Sequence, residues 1–419
     1  THCISSAASD VYKRQLQHAL KMAFYQAGTA LLGGEPPWGA LTGVRPVKLP
    51  TRAMLAGATE AQACRELERE YHVSPRRARL AVECARASLA EDRQLEEGQV
   101  SLYIGIPFCP TRCAYCSFVS ADVGRALKLV DPYVEALLEE VRRTGQVLEQ
   151  AGLRVRTLYV GGGTPTTLSA SQLDRLLAAA EAHLPLAGCR EMTVEAGRPD
   201  TITREKLEVL REHGIERISI NPQTMNQKTL DLIGRRHTVE NVKEKFHIAR
   251  ELGFDNINMD LIMGLPGENL DDVKHTLEEI EALKPDSLTV HSLAIKRAAR
   301  LNMFKEEYAD LKINNTPEMI ALSEACARRM GMEPYYLYRQ KNMAGNFENV
   351  GYSLPGKACI YNILIMEEMQ TIAACGAGTT TKVVFPSENR RERCENVKEV
   401  EQYISRIDEM IGRKEKIIH

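Results

Sequence analysis

Cys109, Cys113 and Cys116 stand in CxxxCxxC spacing within residues 103–118, YIGIPFCPTRCAYCSF. Thiolates are the ligands that hold iron–sulfur clusters, and a short loop can wrap three of them around one face of a cubane. A cubane held by only three cysteines keeps one iron open for a substrate or cosubstrate. Zinc is the alternative for such a trio, but a zinc knuckle needs a second ligand pair at short range. The next cysteine along the chain is Cys189, too remote for that pattern. The spacing therefore predicts a 4Fe–4S loop directly after a β-like run at residues 102–106.

Further along, polar residues recur where short apolar runs end. GGGTPT, residues 161–166, closes the second run. Glycines there let backbone approach a ligand and present amide groups to it. The GK[ST] of a phosphate loop is missing, so a phosphate cradle is not what this stretch predicts. Glu195 ends the third run in MTVEAGRPD, where its carboxylate either accepts hydrogen bonds from a ribose or caps a helix. Gln223 follows the fourth run in SINPQ, and Arg235 sits in the next helical stretch, IGRRHT. Asp260 ends the fifth run, and Ala294 follows the sixth.

The elements that must position these residues can be read from periodicity. Runs at 102–106, 157–160, 192–195, 217–221, 256–260 and 287–291 alternate with amphipathic helical patterns at 131–151, 171–183, 204–212, 238–252 and 270–283. Such alternation means right-handed βαβ crossovers and a parallel sheet. The expected fold is α/β, a partial TIM-like (β/α)6 barrel with its site at the C-terminal ends of the strands.

Residues 16–98 read as an N-terminal helical segment, 99–300 as the barrel core and 301–419 as a C-terminal α+β substrate lid. Within the lid, 317–330 and 396–414 read as helices and 335–340 as a strand. Cys326, Cys359, Cys375 and Cys394 lack ligand spacing and are expected to be packing residues. Residues 33–50 interrupt the first helices with Pro and Gly around the sole tryptophan, Trp38. Nearby, Arg45 and Lys48 are either ordinary solvated charges or, for Arg45, a planar fork that grips a carboxylate. SSAASDVYKRQ, residues 5–15, resembles the translation of a sequencing adapter. Residues 1–15 are therefore expected to be adapter-derived and the helical segment truncated, so they stay outside fold reasoning.

Composition narrows the function. With 419 residues the chain has material for about two or three domains. Hydrophobic content of 44% and charged content of 26% are those of a soluble globular protein. A formal net charge of −2 argues against a nucleic-acid partner. No apolar run reaches the about 18 residues of a membrane span. Eleven cysteines fit a reducing cytosol, so a cytoplasmic location is expected.

Taken together, the motifs resemble a known family. CxxxCxxC in this setting resembles the radical S-adenosylmethionine (SAM) enzymes. YIGIPFCxxxCxYCSF, GGGTPT, VEAGRPD, SINPQTMN, NINMDLIMGLPGE and YLYRQKNMAGNFENVGY resemble the oxygen-independent coproporphyrinogen III oxidase group within them. WGALTGVRPVKL and VHSLAIKRA most resemble its HemZ-type branch, the coproporphyrinogen dehydrogenases. That resemblance implies a 4Fe–4S cluster on Cys109, Cys113 and Cys116, with Tyr115 against the adenine of SAM. It implies that Tyr103, Gly162, Gly163, Thr164, Glu195, Gln223, Arg235, Asp260 and Ala294 line sites for one or two SAM molecules.

The implied reaction is oxidative decarboxylation of two propionates of coproporphyrinogen III to vinyl groups, giving protoporphyrinogen IX in haem biosynthesis. It implies hydrogen abstraction from the side chain, then loss of CO₂ and one electron, with a reductant such as flavodoxin or ferredoxin as partner. A substrate with several carboxylates needs cations, and Arg297, Arg339 and Lys341 are candidates. The chain also departs from the family. Some members carry histidine where it has Gly105 and a fourth cysteine where it has Phe118; a related branch with the same cysteine–phenylalanine pattern binds haem. Lys382 stands where the family's late loop, here residues 375–382, usually has an apolar residue.

Overall fold

Short runs that are apolar through most of their length suit strands buried on both faces, as parallel sheets require. A computed structural model shows all the expected strands and describes the chain except residues 1, 118–120, 297–298, 304–312, 386–389 and 419. Arg297 and Phe118 thus lie outside the described residues. Four helices lead: α1 (His2–Leu32), α2 (Lys48–Leu55), α3 (Glu60–Tyr71) and α4 (Pro75–Asp92). Then come β1 (Gln99–Ile106), the short strands β2 (Phe108–Cys109) and β3 (Ala121–Asp122), α5 (Val123–Gln150) and β4 (Arg154–Gly162). The alternation continues through α6 (Ala170–His183), β5 (Glu191–Gly197), α7 (Arg204–Glu212), β6 (Arg217–Ile220), α8 (Gln227–Leu232), α9 (Val239–Glu251), β7 (Asn256–Met263), α10 (Leu270–Leu283) and β8 (Ser287–Ser292).

Helix starts follow their capping chemistry. Ser169 and Gln172 form a capping box at α6, and Asn269 and Asp272 form one at α10. The helix expected from residue 131 begins earlier, because the Asp122 side chain caps it by accepting from Gly124 N–H at 2.9 Å. Pro132 lies inside α5 rather than at its start.

β1 and β4 to β8 are parallel neighbours in that order. The last part of the chain adds α11 (Arg300–Met303), α12 (Pro317–Arg329), β9 (Glu333–Tyr338), β10 (Asn349–Ser353), α13 (Ile360–Glu367), β11 (Ile372–Cys375), β12 (Thr380–Phe385), β13 (Arg390–Glu395), α14 (Val400–Ser405) and α15 (Ile407–Glu415). Its strands do not form a separate layer. They extend the barrel sheet on both sides, giving an 11-stranded sheet in the order β13-β12-β11-β1-β4-β5-β6-β7-β8-β10-β9. The helix expected at 396–414 is instead two, broken at Arg406. Asn396 precedes both, buried, with its amide donating to Glu140 Oε1 at 2.8 Å.

α13 is wedged inside the incomplete barrel. The Glu191 carboxylate of β5 accepts from the amides of Ile360 at 2.6 Å and Tyr361 at 3.1 Å, capping the helix start. Tyr361 then stacks on Tyr159 of β4 with ring centroids 4.6 Å apart. Of the four cysteines expected to pack, Cys326, Cys359 and Cys375 are buried and Cys394 is half-buried. Among the described residues no helix is long and apolar enough to cross a membrane.

The interrupted stretch after α1 forms a hub. Trp38 is fully buried and its Nε1 donates to Glu348 Oε2 at 2.8 Å. Arg77 pairs with the other oxygen of Glu348 at 2.9 Å, and Arg339 lies 5.4 Å over the Trp38 ring. Arg339 also donates to Leu41 O at 2.9 Å. Expected as a cation for substrate carboxylates, Arg339 is engaged by these partners and does not line the cavity described below. Arg45 does grip a carboxylate, that of Glu368 at 2.6 Å, which Lys48 and Lys382 share at 2.7 and 2.8 Å.

Candidate active site

Strand residues two apart share a face, and one parity of this barrel points inward. Tyr103, Tyr159, Glu195, Ser219, Asp260 and Thr289 are all on that parity and all line one cavity of about 410 Å³. Every residue expected to hold the cluster or SAM borders this cavity: the three cysteines, Tyr115, the glycines with Thr164, Gln223, Arg235 and Ala294 as well. Lys341 does not.

The cysteine loop leaves β1 and is closed at its base by β2 and β3, where Phe108 pairs with Ala121 and Cys109 with Asp122. Its tip is tied across the barrel mouth. Ala114 N–H donates to Ile233 O at 2.9 Å, and Thr111 Oγ1 donates to Gly234 O at 3.0 Å. The glycine run lies against its base. Gly163 and Thr164 donate their amides to Ile106 O and Phe108 O, both at 2.8 Å. A Cβ on Gly163 would stand 2.6 Å from Phe108 O and 3.0 Å from Cys109 Sγ. Only glycine permits that approach.

Two arginines reach the middle cysteine. Arg198, 3% exposed, places Nη1 3.7 Å from Cys113 Sγ and donates to Thr111 O and Oγ1 at 3.1 and 2.8 Å. Its other edge is bidentate to Asp200, at 3.0 and 2.8 Å. Burial pushes the Asp200 carboxyl up, but Arg198 outweighs it and holds it below the usual range. His237, behind them, is pushed down to about 3 by burial and by the Arg235 charge, so it stays neutral. Arg235 donates to Asn221 O and to Tyr115 Oη at 3.2 Å, and its charge also acts on Cys113.

Deeper in, two carboxyls are driven apart. Glu195 accepts from Tyr159 Oη at 2.6 Å. Burial pushes it up to about 7 against that bond, with the Asp260 charge adding to the rise. Burial acts on Asp260 in the same direction. There, His291 at 3.7 Å and the Asn258 amide at 2.7 Å outweigh it and hold the group low. One is poised to carry a proton near neutrality and the other to stay ionised. Gln223 holds the rim with φ at 70°, its amide bonded to Asp260 O at 2.9 Å.

Arg198 and Tyr159 are functional candidates that motif reading passes over. Tyr159 was visible in the two-residue phase it shares with Gly161. Arg198 had no such signal, because it lies past the strand end and turns back to the cysteine loop.

Comparison with known proteins agrees with this geometry. A sequence model of the radical SAM superfamily matches residues 103–280. The oxygen-independent coproporphyrinogen-III oxidase-like protein HemZ of Bacillus subtilis is 41% identical over 408 residues, 97% of this chain and 81% of that protein. The heme chaperone HemW of Escherichia coli is 31% identical over 287 residues, 68% of this chain and 71% of the chaperone. Among solved structures, the coproporphyrinogen III oxidase HemN of Escherichia coli superposes with a TM-score of 0.60 at 25% identity, covering 78% of this chain and 73% of that one.

Radical SAM membership implies a 4Fe–4S cluster and SAM, and the residues present fit them. Among the described residues no three His, Cys, Asp or Glu side chains gather as a single metal ion would require. A cubane instead spreads its ligands over separate irons, and the closely laid glycine run and buried cations at Cys113 suit such an anionic cluster. A cysteine loop at a barrel mouth, one polar cavity beneath it and a likeness running almost the whole length of the chain place this protein in the radical SAM superfamily, in the HemZ-type branch of the oxygen-independent coproporphyrinogen III oxidase family.

Proposed function

We propose that the chain performs oxygen-independent oxidative decarboxylation of coproporphyrinogen III, converting two propionates to vinyl groups to give protoporphyrinogen IX. The observation that carries this reading is the likeness to HemZ across 97% of the chain, lid strands included. Cys109, Cys113 and Cys116 would hold the cluster; Tyr115, Gly162, Gly163, Thr164, Glu195 and Arg235 would hold SAM. Tyr103, Gln223, Asp260 and Ala294 complete the wall, which has room for a reading with one or two SAM molecules. Cluster and SAM together supply hydrogen-atom abstraction.

The chain's own residues bind, orient and keep water out. Ionised Asp260 and the Glu195–Tyr159 pair offer acceptors to ligand hydroxyls, and α13 stops the barrel from below. A flavodoxin or ferredoxin would serve as reductant in the cytoplasm.

A second reading, haem binding and transfer, is favoured by the 31% identity to the HemW chaperone. Anaerobic reconstitution with coproporphyrinogen III, SAM and a reductant, followed by product chromatography, separates the two. Protoporphyrinogen IX formation supports the first; tight haem binding without turnover overturns it in favour of the second. Release of 5′-deoxyadenosine with neither points to a radical SAM enzyme with another acidic substrate. Cys113→Ala should bind little iron or sulfide and be inert in every arm.

A further inference from the structure

The cavity does not end at Glu195. It continues down the inner face of the barrel to Arg217, the first residue of β6, which is 3% exposed and lines its wall. Thr193 of β5 is level with Arg217, and Ser219 lies two residues further on the same face. This floor is polar without being satisfied. Arg217 Nη2 donates to Ser287 Oγ at 3.1 Å, while its Nε has no partner among the described residues. The Thr193 and Ser219 hydroxyls, both on the cavity wall, are also unpartnered among the described residues.

Buried carboxyls act on the charge of Arg217 only from a distance. Glu191 is near enough to act on it but spends its oxygens on the amides of Ile360 and Tyr361. Glu195 is engaged by Tyr159. Among the described residues no carboxylate makes an ion pair with Arg217. Burying a cation and hydroxyls without partners is costly, and the cost is recovered when something fills the site. A planar guanidinium flanked by hydroxyl donors matches a carboxylate, which accepts several hydrogen bonds in one plane.

We propose that Arg217, with Thr193 and Ser219, forms a carboxylate-binding subsite at the floor of the cavity. In the coproporphyrinogen reading, on which the identity of the ligand rests, it seats one propionate of the substrate. The carboxylate chemistry itself does not depend on that reading.

The test uses the full chain and two probes: coproporphyrin III, the fluorescent oxidised form with the same four propionates, and free propionate, followed by calorimetry. Arg217→Met should weaken coproporphyrin III binding about tenfold to a hundredfold. Arg217→Lys should recover part of it, and the tetramethyl ester should bind wild type and Arg217→Met alike. Equal coproporphyrin affinity in wild type and a folded Arg217→Met overturns the subsite. Should Arg217→Met fail to fold, Thr193→Val/Ser219→Ala, which keeps the charge, carries the test. A loss of about threefold or more supports the proposal and no loss overturns it. Propionate binding that Arg217→Met abolishes, in a wild type that ignores coproporphyrin III, supports the subsite and overturns the porphyrinogen reading. Binding of neither probe by wild type overturns the subsite.

Discussion

Nη1 of Arg198 stands 3.7 Å from Sγ of Cys113 and donates to Thr111, while the other edge of the guanidinium is locked on Asp200. A buried cation beside a ligand thiolate favours the more negative, reduced state of a cluster. Arg198→Met should therefore lower the midpoint potential of the reconstituted cluster by on the order of 60 mV, the one-electron equivalent of a tenfold change. Redox titration followed by electron paramagnetic resonance reads this directly. An unchanged potential with normal iron content would leave Arg198 as a loop strut only.

Gly163→Ala tests the contact between glycine run and cysteine loop. The added methyl would meet Phe108 O at 2.6 Å and Cys109 Sγ at 3.0 Å, so one of the two segments must shift. Iron and sulfide retained after reconstitution should fall by about half or more, while the melting temperature drops by only about 1 °C, as a change of about 1 kcal/mol would give in a chain this size. Full cluster content would contradict the close approach.

Glu195 makes stability depend on pH. Its folded value of about 7 lies above the ordinary 4.5, so the folded state binds the proton more tightly. Its contribution is present in full below the ordinary value and is lost as pH rises through about 7. Denaturant melts of the cluster-free protein should show on the order of 2 kcal/mol lost across that window, a figure reduced for the group's partial exposure. Glu195→Gln should remove that slope; a slope that survives in the variant would assign it elsewhere.

The Trp38 hub should be costly to break. Glu348 is 1% exposed, and both its oxygens depend on Trp38 and Arg77. Arg77→Met leaves that carboxylate buried without its cation and should destabilise the fold by about 3 to 5 kcal/mol, read by chemical denaturation. Trp38→Phe, which removes one hydrogen-bond donor and some packing, should cost less. Equal stability of wild type and Arg77→Met would show that the hub is not structural.

What the sequence reveals here follows from what is local. The cysteine spacing, the glycine run and the two-residue phase of the strands are short-range patterns, and the residues they single out come together around one cavity. Local pattern alone makes Arg339 a candidate ligand-side cation, because it follows a strand near the barrel edge. Its true partner, Leu41 beside Trp38, lies 298 residues earlier, a pairing that no local pattern encodes. The same holds for Glu191, which reads as an ordinary strand-start acid until Ile360 and Tyr361 arrive to be capped. Arg198 and Arg217 carry no local signal, because what they do depends on which neighbours they lack or reach in three dimensions.

The strand that launches the cysteine loop draws its two flanking partners from opposite ends of synthesis. β4 emerges soon after it, but the other partner is β11, where Ser101 pairs with Ile372 and Ile104 with Cys375. While the ribosome is still translating the middle of the chain, the loop hangs from a half-supported ribbon. The scaffold beneath the cysteine loop is thus complete only in chains whose distal segments have already been made and paired with it.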